Sequence, residues 1–189
     1  MKIVCREFTP DLWPDLEALF GPRGAVAGCW CMFWRLEKGE KWPEVQGAPN
    51  KRRFRKLVRE GKVHGALAYA GDDPVGWVSF DRRTDFDRLD RAPSLVCDDA
   101  ERVWSVPCFF VKAGWRGQGV ADTLLAFAVK TLKRHGADIV EGYPVKVEPG
   151  KKAPAAFVYT GLEPMFAKAG FTTTAARDRG KQRVRLALR

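Results

Sequence analysis

The chain has 189 residues, 46% hydrophobic and 30% charged, which is enough for one folded core and excludes a globally disordered protein. Lys and Arg number 33 against 23 Asp and Glu, so the net charge is 33 − 23 = +10. That balance excludes an acidic tail protein and favours anionic partners such as phosphates, nucleic acid or a polyanionic cofactor.

No signal peptide is readable in Met1-Lys2-Ile3-Val4-Cys5, and no apolar run approaches the ~18 residues of a membrane span, so a soluble cytoplasmic protein with no membrane partner is expected. Residues 2–8 predict a first strand that runs into Thr9-Pro10. Leu12, Leu16, Leu19 and Phe20 then follow at helical spacing until Gly21-Pro22. The stretch Gly28-Cys29-Trp30-Cys31-Met32-Phe33-Trp34-Arg35 is too aromatic for a solvated loop. It must pack in the core or wall a ligand cavity. Cys29-Trp30-Cys31 resembles half a zinc site, but no second pair completes four ligands, so no metal is expected. The five cysteines are an odd, scattered set and read as free thiols.

Asn50 is the expected N-cap of a helix over 51–60, with Gly61 as its stop. Phe54, Leu57 and Val58 form its apolar stripe. Its basic faces could meet nucleic acid, but no aromatics are interleaved with the charges, which favours a solvated surface. Residues 66–70 and 75–80, joined by Gly71-Asp72-Asp73-Pro74, predict a hairpin. Residues 81–91 read as a polar loop. Residues 103–111 predict a strand in which Pro107 lacks a ladder donor, so pairing should break there. Residues 120–135 predict the best helix of the chain, with Leu124, Leu125, Ala128 and Leu132 on one face. A strand over 138–143, a loop over 144–154, a short helix over 161–169 and strands over 171–176 and 182–188 complete the reading. In the last strand, Val184, Leu186 and Leu188 should face in, and Arg183, Arg185 and Arg189 out. No repeat or linker is evident, so residues 1–189 are expected to form one domain.

The chemistry is concentrated at Val111-Lys112-Ala113-Gly114-Trp115-Arg116-Gly117-Gln118-Gly119-Val120-Ala121. A strand enters a glycine-rich turn that opens directly into a helix. The first helical N–H groups have no intrahelical partner, and the helix dipole adds positive charge there. Gly117 and Gly119 let backbone approach an anion. Neither a nucleotide P-loop nor a dinucleotide fingerprint fits these residues.

Arg116-x-x-Gly119-x-Ala121 resembles the acyl-CoA signature of the GNAT superfamily of N-acetyltransferases, over about residues 65–175. The segments 28–35 and 141–145 are similar to an uncharacterised bacterial branch of that superfamily. The resemblance implies an α/β (α+β) fold with a mixed, mostly antiparallel sheet, splayed between strands 4 and 5 and flanked by helices. It implies acetyl-CoA as co-substrate, held by backbone of Phe109 and Val111 for the pantetheine and by Arg116, Gly117, Gln118, Gly119, Val120 and Ala121 for the diphosphate. Lys151 and Lys152 are candidates for the 3′-phosphate. The chain would acetylate a primary amine of a small molecule or peptide, and could pair as a homodimer.

Direct transfer needs a neutral amine, a polarised carbonyl and a proton for the departing thiolate. The family's usual tyrosine falls at Phe166, which has no proton to give, so Tyr159 is the expected substitute acid. Glu141 is the first choice of base, with Asp81 and Asp98 as runners-up. Cys108 reads as packing. The alternative from a different class is a non-catalytic acyl-CoA-binding or sensing module.

Overall fold

The computed structural model describes residues 2–147 and 158–188. Lys151 and Lys152 lie outside the described residues. Strand β1 (Ile3–Glu7) is followed by helix α1 (Trp13–Phe20), which buries Trp13, Leu16, Leu19 and Phe20. A short helix α2 (Trp42–Val45) leads to α3 (Ala48–Arg59). Asn50 is not its N-cap. Gly47 takes that place, because Pro49 has the fixed φ of a first helical turn and starts the helix earlier. Asn50 instead sits fully buried inside the helix and donates from Nδ2 to the Gly28 carbonyl at 3.3 Å. Three of the six basic residues of α3 meet carboxylates: Lys51 meets Glu17, Arg53 meets Glu37 and Glu40, and Lys56 meets Glu60.

The hairpin is β2 (His64–Ala70) and β3 (Asp73–Arg82). Its turn is tighter than expected, because Asp73 and Pro74 already pair with Ala70 and Tyr69. Strand β4 (Val103–Val111) precedes helix α4 (Val120–Arg134), and β5 (Ile139–Gly142) and β6 (Val145–Lys146) follow. Helix α5 (Glu163–Lys168), β7 (Thr172–Ala175), β8 (Gly180–Lys181) and β9 (Arg183–Ala187) close the chain. Seven strands form one sheet in the order β1-β2-β3-β4-β5-β9-β7, and β6 pairs separately with β8. Among the described residues, β4 and β5 are the one parallel pair of this sheet; its other pairs are antiparallel.

Both faces of the sheet are covered, and strand alternation sorts the side chains. Along β2, Ala66, Ala68 and Ala70 face α4, which contributes Leu124, Leu125, Ala128 and Leu132. These alanines are small because the helix lies close. At Gly76 of β3 a Cβ would stand 2.8 Å from Val120, so only glycine fits. Leu67, Tyr69 and Trp77 face the opposite side, against Trp13, Leu16, Trp30 and Phe54. No helix among the described residues is long and apolar enough to cross a membrane.

The polar segment 81–91 is only partly solvated. Asp81 and Arg83 are buried, and the chain after Arg82 coils into two short 3-10 turns. The reason is pairing: Asp81 receives Arg35 and the His64 ring, and Arg83 donates to Asp90 at 2.7 Å and to the Leu95 carbonyl at 2.9 Å. The hydrogen bond from His64 to Asp81 raises the His64 pKa, against an opposing effect of burial. The folded chain therefore holds this proton more tightly than the unfolded chain. The stabilisation is complete below pH ~6.5 and is lost as pH rises through the higher folded value. Calorimetric melting across pH 6–9 should show wild type losing more stability than His64→Gln. Parallel curves would reject the assignment.

Candidate active site

Strand β4 has two halves with different neighbours. Residues Val103 to Val106 pair with Ile139 to Gly142 of β5, and pairing stops at Pro107. Beyond it, β4 keeps only β3, through Cys108↔Ser79 to Val111↔Gly76. Pro107 brings no N–H to that edge, so the sheet opens where the sequence removes a donor. The resulting cleft has a volume of about 330 Å³.

The strand-to-helix turn forms one wall of this cleft. Gly114, Gly117 and Gly119 have φ of 89°, 74° and 77°, a region that disfavours other side chains. Gly119 is the N-cap of α4, and the first intrahelical bond is from Thr123 N–H to its carbonyl at 3.0 Å. The N–H groups of Val120, Ala121 and Asp122 therefore have no intrahelical partner. A Cβ on Gly117 or Gly119 would meet nothing within 4 Å, so the space in front of this backbone is open. An oriented row of donors, a helix dipole and open room fit a diphosphate.

Seven of the eight residues assigned to acetyl-CoA line this cleft: Phe109, Val111, Arg116, Gly117, Gly119, Val120 and Ala121. Gln118 does not, because its side chain turns back and donates to the Gly114 carbonyl at 2.6 Å. Arg116 braces the same turn, donating from Nε to the Val111 carbonyl at 3.0 Å. One of the two backbone groups of Phe109 is already engaged. Its N–H already donates to the Tyr159 carbonyl at 2.6 Å. By ladder alternation, the next N–H aimed at the open edge belongs to Val111.

A second, apolar cavity of about 170 Å³ joins the cleft through Val26, Phe109, Phe110 and Tyr159. Its walls include Phe33, Trp34 and Trp42, with Phe33 edge-on to all three neighbouring rings of Trp34, Trp42 and Tyr159. The aromatic segment thus does both things its composition allowed. Trp30 and Met32 enter the core, while Phe33 and Trp34 wall the cavity. Holding this shape puts Ala25, Ala27, Trp30 and Cys31 at positive φ. Val26 and Ala27 on this wall carry no motif, and sequence reasoning missed them.

Cys29, Cys31 and Cys108 also face the cavity. Cys31 and Cys108 are 3.9 Å apart, and Trp77 Nε1 donates to the Cys31 sulfur at 2.9 Å. The adjacent Cys31 thiol and burial push the Cys108 pKa well above the ordinary thiol range. A protonated thiol with no base is a poor nucleophile. Among the described residues no group of three or more His, Cys, Asp or Glu side chains could hold a metal ion.

The two expected catalytic groups lie in different surroundings. Tyr159 stands where the cleft and the apolar cavity meet. Burial, and then Cys108, raise its phenol pKa above the ordinary value, so it keeps its proton. Glu141 lines neither cavity and is fully buried. It accepts from Tyr143 Oη at 2.8 Å and from Arg185 Nε at 2.6 Å, and Arg83 Nε lies 3.5 Å away. Arg185 also forms a two-pronged bond to Asp99 at 2.7 and 2.8 Å, which lowers the Asp99 pKa to about 2. The final strand's expected outward arginines, Arg183 and Arg185, are thus half-buried against carboxylate, while Arg189 lies outside the described residues. Of the runners-up, Asp81 is held by Arg35 and His64, and Asp98 is exposed. Phe166 is fully buried, edge-on to Phe109 and Phe171, and a Cβ on Gly142 would run into its ring.

Residues 29–157 match the sequence model of the acetyltransferase (GNAT) family. No curated protein sequence is significantly similar to the chain. Among solved structures, it resembles the PaiA N-acetyltransferase of Thermoplasma acidophilum in complex with coenzyme A, with 14% identity and a TM-score of 0.55 over 99% of both chains. It resembles YncA of Salmonella typhimurium with its cofactor acetyl-CoA, with 12% identity and a TM-score of 0.57, over 99% of this chain and 94% of that one. The ribosomal-protein-S5-alanine acetyltransferase of Vibrio fischeri is similar at 10% identity and a TM-score of 0.56, over 98% of this chain and 92% of that one. At these identities the likeness is one of fold.

Proposed function

This chain belongs to the acetyltransferase (GNAT) family, and we propose that it moves an acetyl group from acetyl-CoA directly to a primary amine held in the aromatic cavity. One observation carries the reading: the cleft at the glycine-rich helix start and an apolar cavity share a wall, and Tyr159 stands in that wall.

The turn from Arg116 to Ala121 binds the diphosphate through backbone donors, and the open edge of β4 lines the pantetheine arm. The amine enters the neighbouring cavity. Its apolar walls disfavour an ammonium ion, so the nitrogen sheds its proton on entry and exposes a lone pair. Nitrogen attacks the thioester carbonyl, the new C–N bond forms and the C–S bond breaks. The departing sulfur takes the proton of the Tyr159 phenol. The proton released from the acylated nitrogen returns to the phenolate, which closes the balance without an acyl-enzyme. Glu141 touches neither substrate in this scheme. It positions β5 and β9 through its arginines.

Release of free thiol from acetyl-CoA, across a panel of amines, tests the activity. Binding of acetyl-CoA with no thiol release from any amine would instead support a sensing module. Gly119→Asp tests the placement. At φ of 77° the aspartate is strained by about 1–2 kcal/mol, but its Cβ meets nothing within 4 Å and a carboxylate suits a helix N-terminus, so the variant should fold with a lowered melting temperature, checked by circular dichroism before titration. That same charge faces the diphosphate, so calorimetry should show acetyl-CoA affinity lower by at least ~tenfold, about 1.4 kcal/mol. Unchanged affinity in the folded variant would remove the diphosphate from this turn.

A further inference from the structure

Next to the apolar cavity lies a third pocket, of about 560 Å³, that shares Phe33, Trp34 and Tyr159 with it. Arg88, Arg91, Arg177 and Lys181 line it. Glu40 is the one carboxylate among its described lining residues, and Arg53 already engages it at 2.6 Å. None of the four cations has an acidic partner within 4 Å among the described residues. Arg91 donates to the Leu36 carbonyl, and Arg177 to the Ser94 hydroxyl at 3.0 Å. Arg88 lies over the Phe33 ring at 4.1 Å, and Lys181 over the Tyr159 ring at 5.2 Å.

Among the described residues, four cations share this pocket with one carboxylate, Glu40, which Arg53 already engages, so the like charges are under-compensated and repel one another, and burial adds to the cost. Both effects are visible: burial and then Arg91 lower the Arg88 pKa, and burial lowers that of Lys181. An anion placed between them would offset both. The guanidinium groups suit a carboxylate or phosphate. The adjoining cavity is ring-sized, since an apolar void of about 150 Å³ accepts benzene.

We propose that this basic pocket is the anion subsite of the acceptor, which is an amine with a ring-sized apolar body and a carboxylate or phosphate group. The body fills the aromatic cavity, the anion meets Arg88 and Lys181, and the amine faces the cleft. This assignment rests on the acetyl-transfer reading for the amine, but anion binding itself is measurable without acetyl-CoA.

The test is calorimetric titration of the full chain at low salt with 3-phenylpropionate, phenethyl phosphate and the neutral 3-phenylpropanamide. At least one anion should bind ~tenfold or more tighter than the amide, and the tighter of the two identifies the group preferred. The gap should close in Arg88→Gln/Lys181→Gln and persist in Arg88→Lys/Lys181→Arg. Equal binding of anions and amide overturns the proposal. So does a gap that survives the glutamine changes, or the absence of binding by all three probes. Acetyl-CoA is titrated in parallel. Its failure to bind, with the anion gap intact, would sink the transferase reading and leave the subsite standing.

Discussion

Tyr159→Phe is expected to lower turnover by roughly 10²–10⁴-fold, the usual worth of a positioned proton donor. Binding of acetyl-CoA should hardly change, because the ring and the backbone carbonyl that meets Phe109 both remain. Stability should also hold, since the ring keeps its packing against Phe33 and Trp34. The pH profile separates this role from a packing role. Burial raises the phenol pKa, so wild-type turnover should show no alkaline loss below pH ~10, the ordinary tyrosine value. On the acid side, rate should climb as the acceptor amine loses its proton. Steady-state kinetics that leave kcat intact in the phenylalanine variant would eliminate Tyr159 as the donor.

Glu141→Gln should chiefly cost stability. The carboxylate is fully buried between Arg185 and Arg83, and Arg83 is itself fully buried. Removing one partner of a buried pair costs about 3–5 kcal/mol. The lower end applies, because Asp99 still holds Arg185 and Asp90 still holds Arg83. About 3 kcal/mol in a chain of this length lowers the melting temperature by roughly 6–12 °C. Below that temperature, the pH–rate profile should match wild type. A variant that melts like wild type but loses turnover, with recovery at high pH, would make Glu141 the base after all.

The two outcomes also show where reading residues in order reaches its limit. Local signals carried the cofactor end. Pro107 breaks pairing wherever its strand lies, and Gly117 and Gly119 ahead of an amphipathic run declare a helix start open to anions. The strand, turn and helix around them fall within one or two residues of expectation. Glu141 was different. A carboxylate in an apolar strand must find a partner or a cavity, and the choice depends on which strand lies beside it. Arg185, 44 positions away, becomes its neighbour only through β5–β9 pairing. The basic pocket was hidden for the same reason, since Arg88 and Lys181 meet only in the folded chain. Asn50 misled because its side chain suits a cap, while Pro49 beside it had already started the helix.

The backbone between Gly24 and Cys31 bears on how this protein could evolve. Four non-glycine residues there, Ala25, Ala27, Trp30 and Cys31, occupy conformations that cost about 1–3 kcal/mol apiece. Glycine at position 27 would adopt φ of 50° without steric strain, a gain of about 1–2 kcal/mol against an entropy cost of about 0.5–1 kcal/mol, so Ala27→Gly offers stability by a single change. It would also slacken a wall of the aromatic cavity, because glycine holds no one conformation firmly. Selection for thermal robustness at this segment would therefore drift toward a broader range of acceptors, and selection for a narrow range would retain the strain. Melting temperature and acceptor range, followed together through a set of glycine and alanine exchanges here, should move in step.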